Sequence, residues 1–416
     1  MDKVGKVETM DYSQAKDKLE KVNQLHILDG YEGLTGEQQI FLLNQIEGID
    51  FSVIKAIERE QKVLECVIEP LAAMELDEIE FNKDKFSSEG INAINDGKIG
   101  AVLLAGGMGT RLGSNEPKGI YNIGVNKELY IFECLINNLF SIVKKADKFI
   151  HLFIMTSDKN DESTRNFFAN KSYFGYDANY IHFFKQELAP ATDYSGKVYM
   201  ENASKISTSP NGNGGWFASL NRTGLLDKIH EFGIEWLNVF AVDNVLQKIA
   251  DPAFVGATIL AKASVGAKVV KKATPDEKVG VMCLKDGKPS IVEYYELTQE
   301  MRDSKNDKGE LAYNFGVILN YLFNVADLEE IFEEKMQTHL VEKKIPFMDE
   351  AGQFIEPSSP NGYKYETLIL DMIQNLKSCL PYEVVREKEF APIKNKTGVD
   401  SVESARELLA RNGVEV

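Results

Sequence analysis

Residues 99–119 combine an apolar run, three glycines within four positions (106, 107 and 109) and two cations in a spacing suited to holding a polyphosphate. Ile99–Leu104 has the character of a buried strand and is followed at once by the glycines of residues 106–109. Glycines let a backbone turn tightly and press its N–H groups against a ligand, and Arg111 and Lys118 can add positive charge at the rim of such an anion nest. The alternative is a strand-to-helix turn without a ligand. The spacing matches neither a Walker A loop nor the dinucleotide fingerprint.

Asp243 also lies where chemistry is expected. It follows the apolar run Val239–Val242, so the pattern places it at the tip of a buried strand. A lone carboxylate there can hold hydrated Mg²⁺, which prefers one or two carboxylates together with phosphate oxygens. Capping of a helix that begins near Asp251 is the alternative. The glycine loop (residues 105–119) nearby in the expected fold favours the metal.

A second glycine cluster occupies Asn211–Gly215. If it faces a cleft, its backbone could contact the edge of a base, and Asn213 could hydrogen-bond a sugar; a flexible surface turn is the alternative. Taken alone, Lys364 and Lys394 are surface lysines, and Tyr294 is a half-buried strand aromatic.

Composition limits the class of protein. The 416 residues suffice for two or three domains, and the net charge of −17 argues against nucleic-acid or anionic-membrane partners. The four cysteines have no paired spacing, which predicts free thiols in a reducing compartment. Residues 1–10 lack the apolar core of a secretory signal, and no apolar run approaches the roughly 18 residues of a membrane span. We therefore expect a cytoplasmic protein.

Alternating strand-like and helix-like segments from Lys98 onward predict an α/β fold. Further strand-like runs are His151–Thr156, Ile181–Phe184 and Leu237–Val242. A helix is expected over Asp161–Asn170, and the alternation predicts a mostly parallel central sheet with helices on both faces. Ligands bind such sheets at the carboxyl ends of the strands. The loops expected there are residues 106–113, 186–190 and 243–244.

Three parts are expected along the chain: a helical N-terminal region over residues 1–95, a catalytic domain over residues 96–395, and a short C-terminal helix within residues 396–416. In the first part, Thr35-Gly-Glu-Gln38 has the spacing of a capping box. In the second, the runs on either side of Asp286-Gly287 predict an antiparallel hairpin that ends at Glu293 and Tyr294.

Several motifs, in order along nearly the whole chain, resemble those of eukaryotic UDP-N-acetylhexosamine pyrophosphorylases. Leu104–Gly119 resembles the nucleotide loop of that family. The other matches are Phe183–Gln186, Pro210–Gly215, Val242–Asn244, Val292–Tyr294, Asn314–Gly316, Lys364 and Ala391–Asn395. The resemblance implies a Rossmann-like nucleotide-sugar-transferase fold.

The resemblance also implies a role for each matching residue. Uridine would be held by Leu104, Ala105, Gly106, Gly107, Gln186 and Gly212. The phosphates would be bound by Arg111, Lys118 and Lys394, which are the expected catalytic residues, and by Lys364. The sugar would contact Asn213, Glu293, Tyr294 and Asn314. Asp243 would hold Mg²⁺, with Mn²⁺ as an alternative.

The implied reaction is uridylyl transfer from UTP to N-acetyl-D-glucosamine 1-phosphate, which gives UDP-N-acetylglucosamine and diphosphate reversibly. Because the sugar phosphate is itself the nucleophile, the enzyme must align two anions and neutralise charge rather than supply a base. The alternatives are a broad or UDP-glucose/galactose pyrophosphorylase, and a non-catalytic UDP-sugar sensor. A monomer without nucleic-acid or membrane partners is expected.

The chain departs from the family pattern in three places that bear on the N-acetyl preference. Val317 stands where members often have a second Asn, and Leu368 and Leu370 stand where they often have aromatics near the acetyl group. After Lys394 we expect a short helix over Val402–Arg411 rather than the further β-rich domain of related enzymes.

Overall fold

The computed structural model describes residues 10–59, 66–332 and 336–416. Its contacts divide into two compact units that interleave along the chain. Of the described residues, the first unit comprises 10–59, 187–215 and 336–368, and the second comprises 66–186, 216–332 and 369–416. The expected absence of a secretory signal falls mainly on residues 1–9, which lie outside the described residues. The division at residues 95 and 395 stays a prediction.

The helices are α1 (Tyr12–Glu20), α2 (Gly36–Gly48), α3 (Ala56–Arg59), α4 (Leu76–Asn95), α5 (Ile131–Ala146), α6 (Asp161–Asn170), α7 (Trp216–Arg222), α8 (Leu225–Glu231), α9 (Pro252–Leu260), α10 (Gln299–Asp303), α11 (Val325–Glu330), α12 (Ile369–Asn375), α13 (Arg386–Glu389) and α14 (Val402–Arg411). The strands are β1 (Ile68–Pro70), β2 (Ile99–Leu104), β3 (Leu152–Thr156), β4 (Ile181–Lys185), β5 (Leu188–Pro190), β6 (Thr192–Asp193), β7 (Met200–Asn202), β8 (Lys205–Ile206), β9 (Thr208–Pro210), β10 (Trp236–Ala241), β11 (Val265–Lys271), β12 (Val281–Lys285), β13 (Lys288–Val292), β14 (Phe315–Asn324), β15 (His339–Lys343), β16 (Phe347–Met348), β17 (Phe354–Ile355), β18 (Gly362–Glu366) and β19 (Cys379–Glu383). No helix within the described ranges combines the length and the apolar character needed to cross a bilayer.

The first unit packs the N-terminal helices against short strands that come much later in the chain. Its hydrophobic core joins side chains of α1 and α2 to Val198 and Ile206. The amide of the buried Gln24 fixes this packing, because it donates to the carbonyl of Gly196 and accepts from the N–H of Val198, both at 2.9 Å. The predicted capping box of α2 is confirmed.

The second unit is built on the central sheet. Strands β4, β3, β2 and β10 are neighbours and run parallel, with Leu104 in register with Met155 of β3 and Ala241 of β10. Beyond β10 the sheet continues with β14, which runs antiparallel and also pairs with β11 and β12. The predicted α/β fold around a large central sheet is confirmed.

Helices cover this sheet on both faces, as predicted. Every residue of β2 and β3 is buried, which is typical of strands covered on both sides. On β14, Leu322 packs into the core shared with α4, α5 and α9, whereas the ring of Phe323 meets Trp216 of α7 with 5.9 Å between ring centroids. Adjacent residues of a strand point to opposite faces, so these helices lie on opposite sides of the sheet.

The predicted hairpin is also present. Strands β12 and β13 pair antiparallel, with Lys285 opposite Lys288 across a two-residue turn. Asp286 and Gly287 have φ values of 50° and 76°, the positive values that the favoured hairpin turn requires. The expected helices Asp161–Asn170 and Val402–Arg411 form over those ranges.

Candidate active site

The carboxyl ends of four neighbouring parallel strands bring the predicted loops of the second unit to one edge of the sheet. Gln186 follows β4, the glycine loop follows β2, and Asp243 lies two residues after β10. Since β2 lies between β3 and β10, the glycine loop is flanked by the residues after β3 on one side and by Asp243 on the other. This is the edge at which ligands bind in such sheets.

Gln186 lies against the start of the glycine loop. A Cβ atom built onto Gly106 would lie 2.8 Å from Oε1 of Gln186, so the side-chain amide covers the glycine. The backbone N–H of Gln186 donates to the carbonyl of Thr156 at 2.8 Å, and its side chain is largely buried. An amide has one acceptor oxygen and two N–H donors, which suits the alternating donor and acceptor edge of uracil.

Asn160 holds the start of the same loop by hydrogen bonds to its backbone, a role that the sequence patterns did not indicate. Its side chain is fully buried and donates to the carbonyls of Ala105 at 2.9 Å and Gly107 at 3.4 Å. Its Oδ1 accepts from the N–H of Ser157 at 2.7 Å. Asn160 therefore fixes the backbone that follows Leu104. No motif or periodicity marks this residue.

The glycine loop closes on itself. The carbonyl of Gly107 accepts from the N–H of Lys118 at 3.1 Å, and the carbonyl of Glu116 accepts from the N–H of Gly109 at 2.8 Å. At Gly119 any Cβ would overlap the ring of Phe132, so glycine is required there by packing. The loop contains short 3₁₀ turns and is separated from α5 by eleven residues, Ile120–Tyr130, so it is not a simple strand-to-helix turn.

Lys118 lies beside Asp243, and two further cations act on Lys118. Nζ of Lys118 lies 3.7 Å from Oδ2 of Asp243, and both side chains are only partly exposed. Burial lowers the pKa of Lys118, Asp243 opposes this effect, and the charges of Lys394 and Arg111 lower the pKa further. Arg111 and Lys394 therefore both lie close enough to Lys118 for their positive charges to act on its ammonium. Such clustering of like charge is typical of an anion-binding site.

Backbone pairing brings Lys394 to Asp243. The N–H of Ile393 donates to the carbonyl of Asp243 at 2.9 Å, and the Lys394 ammonium pairs with Asp400 at 2.9 Å. Asn244 fixes this crossing, since its buried side chain donates to the carbonyl of Glu389 at 2.7 Å and accepts from the N–H of Ala391 at 2.9 Å. Asn244 was not among the predicted site residues.

A single carboxylate at this place fits Mg²⁺. Within the described residues no group of three Asp, Glu, His or Cys side chains lies together for a metal, so the remaining ligands would be water and phosphate oxygens. That is the usual ligand set of Mg²⁺ in phosphate-transfer sites. The alternative role for Asp243 is already filled, because Asp251 itself caps α9 by accepting from the N–H of Ala253.

Glu293, Tyr294 and Asn314 lie at the end of the β12–β13 hairpin and the start of β14. A Cβ built onto Gly280 would lie 3.6 Å from both Oε1 of Glu293 and Cγ2 of Val317, so these two side chains are near neighbours. The buried Asn314 accepts from the N–H of Lys272 with both its backbone and its side-chain oxygen, at 2.9 and 3.1 Å. The predicted sugar-binding residues of this unit thus lie where β13 ends and β14 begins, the region that also contains Val317.

Gly212, Asn213 and Lys364 belong to the first unit. Gly212 has φ +85°, and any Cβ on it would overlap the carbonyl of Thr367, which closes the end of β18. The N–H of Gly214 donates to the same carbonyl at 2.9 Å. Gly212 and Gly214 are therefore explained by close packing against the residues that follow the strand carrying Lys364, and Gly215 is explained by contact with the Asn211 side chain.

The sequence that forms this sheet, glycine loop and group of cations matches a known protein family. A model of the UDPGP family, described as UTP–glucose-1-phosphate uridylyltransferase, matches residues 47–411. The chain belongs to this family. The resemblance inferred from the sequence motifs is confirmed.

Individual relatives agree with the family assignment. The chain is 32% identical over 411 residues to mouse UDP-N-acetylhexosamine pyrophosphorylase-like protein 1, covering 92% of this chain and 80% of the mouse protein. It is 35% identical over 421 residues to UDP-N-acetylglucosamine diphosphorylase 1 of Arabidopsis thaliana, covering 95% of this chain and 82% of that protein. The solved structure of the UDP-N-acetylglucosamine pyrophosphorylase of Trypanosoma brucei is similar with a TM-score of 0.84 at 29% identity, covering 97% and 85% of the two chains.

Proposed function

We propose that this chain, an enzyme of the uridylyltransferase family, transfers a uridylyl group from UTP to N-acetylglucosamine 1-phosphate and releases pyrophosphate. The observation that carries the proposal is the cluster of Arg111, Lys118 and Lys394 around Asp243, at the end of the glycine loop in a chain of net charge −17. A protein so acidic concentrates cations in one place when it must bind anions there. The choice of N-acetylglucosamine 1-phosphate as the second substrate rests on the names of its relatives.

The reaction needs alignment and charge neutralisation. An oxygen of the sugar phosphate attacks the α-phosphorus of UTP, the bond from that phosphorus to the bridging oxygen breaks, and pyrophosphate leaves with the electron pair. Arg111 and Lys118 would stabilise the charge that develops on the leaving oxygens, and Lys394 would hold the phosphates in place. Gln186 and the loop backbone that Asn160 fixes would hold the base.

Mg²⁺ held by Asp243 would neutralise charge on the α-phosphate. The 3.7 Å separation between Lys118 and Asp243 leaves the carboxylate only weakly paired, so an oxygen ligand is still available. Mn²⁺ has similar ligand preferences and is an alternative.

Replacing Arg111 by Ala is expected to lower kcat about 100-fold while the KM for the sugar phosphate changes less than about threefold, because a donor aimed at developing charge acts mainly in the transition state. Initial rates of pyrophosphate release measure both constants. Arg411→Ala, which removes an exposed guanidinium on α14, is the matched control and should behave as wild type. A change confined to the sugar-phosphate KM would show that Arg111 has a different role.

The sugar preference is tested by comparing N-acetylglucosamine 1-phosphate with glucose 1-phosphate in parallel. We expect kcat/KM to be at least about tenfold higher with the acetylated sugar, since a pocket that uses a substrate group discriminates by about that factor or more. Equal rates would make the chain a broad UDP-sugar pyrophosphorylase, which the aliphatic Val317 beside Glu293 would allow. UTP binding without turnover would make it a sensor.

We further propose a cytoplasmic, monomeric enzyme. Cys66, Cys134, Cys283 and Cys379 are all free thiols, as is usual in a reducing compartment.

A further inference from the structure

We propose that Lys396 is a further phosphate-binding residue, which contacts the terminal phosphates of UTP and the pyrophosphate formed from them. The inference rests on the proposed function. It concerns the turn of residues 394–401, here called the Lys396 turn, which begins at Lys394, is exposed over residues 395–399 and leads into α14.

The side chain of Lys396 reaches the tip of the glycine loop, between the hydrogen-bonded residues Gly109 and Glu116. A Cβ atom built onto Gly113 would lie 2.8 Å from Nζ and 3.1 Å from Cε of Lys396. Gly113 ends the 3₁₀ turn that carries Arg111. The Lys396 ammonium thus lies against the short turn whose backbone carries Arg111, although the two residues are 285 positions apart in sequence.

The Lys396 turn is closed at its base by backbone hydrogen bonds. The carbonyl of Asp400 accepts from the N–H of Lys394 at 2.6 Å and from the N–H of Asn395 at 3.1 Å, and the carbonyl of Asn395 accepts from the N–H of Val402 at 3.0 Å. These bonds fix the backbone on both sides of Lys396. The backbone position from which the Lys396 side chain reaches Gly113 is therefore set by the fold.

The charges leave Lys396 available for an anion. Lys394 is paired with Asp400 and Lys118 with Asp243. Within the described residues, neither Arg111 nor Lys396 is in an ion pair, and Glu116, the carboxylate of the same loop, makes none with Lys396. Two cations without carboxylate partners on one short turn and its neighbour can both be neutralised by a multiply charged anion bound there.

The direction along the loop indicates which phosphates are involved. Gln186 covers Gly106 at the base of the loop, where the uracil is proposed to bind, whereas Lys396 lies over Gly113 at the tip of the loop. The phosphates farthest from the base are the β- and γ-phosphates, which leave together as pyrophosphate. Lys396 should therefore contribute to binding of UTP and pyrophosphate and contribute little to binding of UMP.

Lys396→Gln is expected to weaken UTP binding roughly five- to tenfold in calorimetric titrations and to leave UMP binding within about twofold, as is typical for loss of one charge-assisted contact at an exposed site. In the reverse reaction, the KM for pyrophosphate should rise by a similar factor while the KM for UDP-N-acetylglucosamine stays unchanged. Lys396→Arg should restore most of the loss. Lys145→Gln, which removes an exposed lysine of α5, is the matched control.

Equal affinity of wild type and Lys396→Gln for UTP would overturn the proposal, and so would an equal loss for UTP and UMP. The titrations need no turnover. If the wild-type protein binds UTP but turns over neither sugar phosphate, the proposed function fails, and the comparison of UTP with UMP still decides the role of Lys396.

Discussion

Replacing Asp243 by Asn is expected to lower kcat roughly a thousandfold, the largest effect on activity of any substitution considered. A metal that polarises a phosphoryl oxygen contributes several kcal/mol to transition-state stabilisation, and each 1.36 kcal/mol corresponds to about a tenfold change in rate. Asparagine keeps the size of the side chain and removes the charge that holds the metal. It also leaves the half-buried ammonium of Lys118 without its partner.

The measurement is the initial rate of pyrophosphate release at increasing Mg²⁺ concentration. Asp243→Asn should need more Mg²⁺ to reach half of its residual maximum, whereas Asp84→Asn on the exposed side of α4 should match wild type. A variant that loses activity with an unchanged Mg²⁺ dependence would show that Asp243 acts on Lys118 and does not hold the metal.

Replacing Lys268 by Met is expected to lower the free energy of unfolding by about 3–5 kcal/mol, the largest effect on stability. Lys268 lies in the middle of β11 with a fully buried side chain, and its ammonium meets Glu389 at 2.5 Å and Asp251 at 3.3 Å. Methionine fills a similar volume but leaves two largely buried carboxylates without their central partner. Breaking a buried ion pair on one side is costly because the remaining charge stays desolvated.

Denaturant unfolding of the two variants Lys268→Met and Lys248→Met measures this effect. Lys248 pairs with the same Glu389 at 3.2 Å, but its side chain is more than half exposed. Replacing Lys248 by Met should lower the free energy of unfolding by only about 1 kcal/mol or less, as is usual for exposed ion pairs. A loss below about 1 kcal/mol for Lys268→Met would show that Glu389 and Asp251 are satisfied without it. The ion pair between Lys268 and Glu389 also bears on the active site, because Glu389 shortly precedes Ala391 and Lys394 in sequence.

The sequence alone predicted the parts of this fold that depend on local patterns. The apolar runs of β2 and β3 were recognisable because strands buried on both faces are continuously apolar, and shorter apolar runs marked β4 and β10. The Asp286-Gly287 turn was recognisable because few residues accept positive φ. Those strands in turn predicted that Gln186, the glycine loop and Asp243 lie at one edge of a sheet, and this is confirmed.

Long-range contacts were beyond such patterns. The first unit assembles from three separated segments, and the hydrogen bonds between Gln24 and residues 196–198 join positions more than 170 residues apart. Asn160 and Lys268 resemble ordinary surface residues in the sequence, and their burial becomes understandable only when their partners are known. The glycines of residues 211–215 suggested a ligand, whereas close packing of Gly212 and Gly214 against Thr367 and Leu368, and of Gly215 against the Asn211 side chain, is sufficient to explain them.

The central claim is that the sugar phosphate itself attacks UTP in the site around Asp243. It is tested most directly by mixing Mg²⁺ with equal concentrations of enzyme and UTP, once with and once without N-acetylglucosamine 1-phosphate. Pyrophosphate and UDP-N-acetylglucosamine are measured in the same samples. The account predicts no pyrophosphate without the sugar phosphate, and one pyrophosphate for each UDP-N-acetylglucosamine with it. A burst of pyrophosphate without the sugar phosphate, or bound UTP that never reacts with it, would contradict the account.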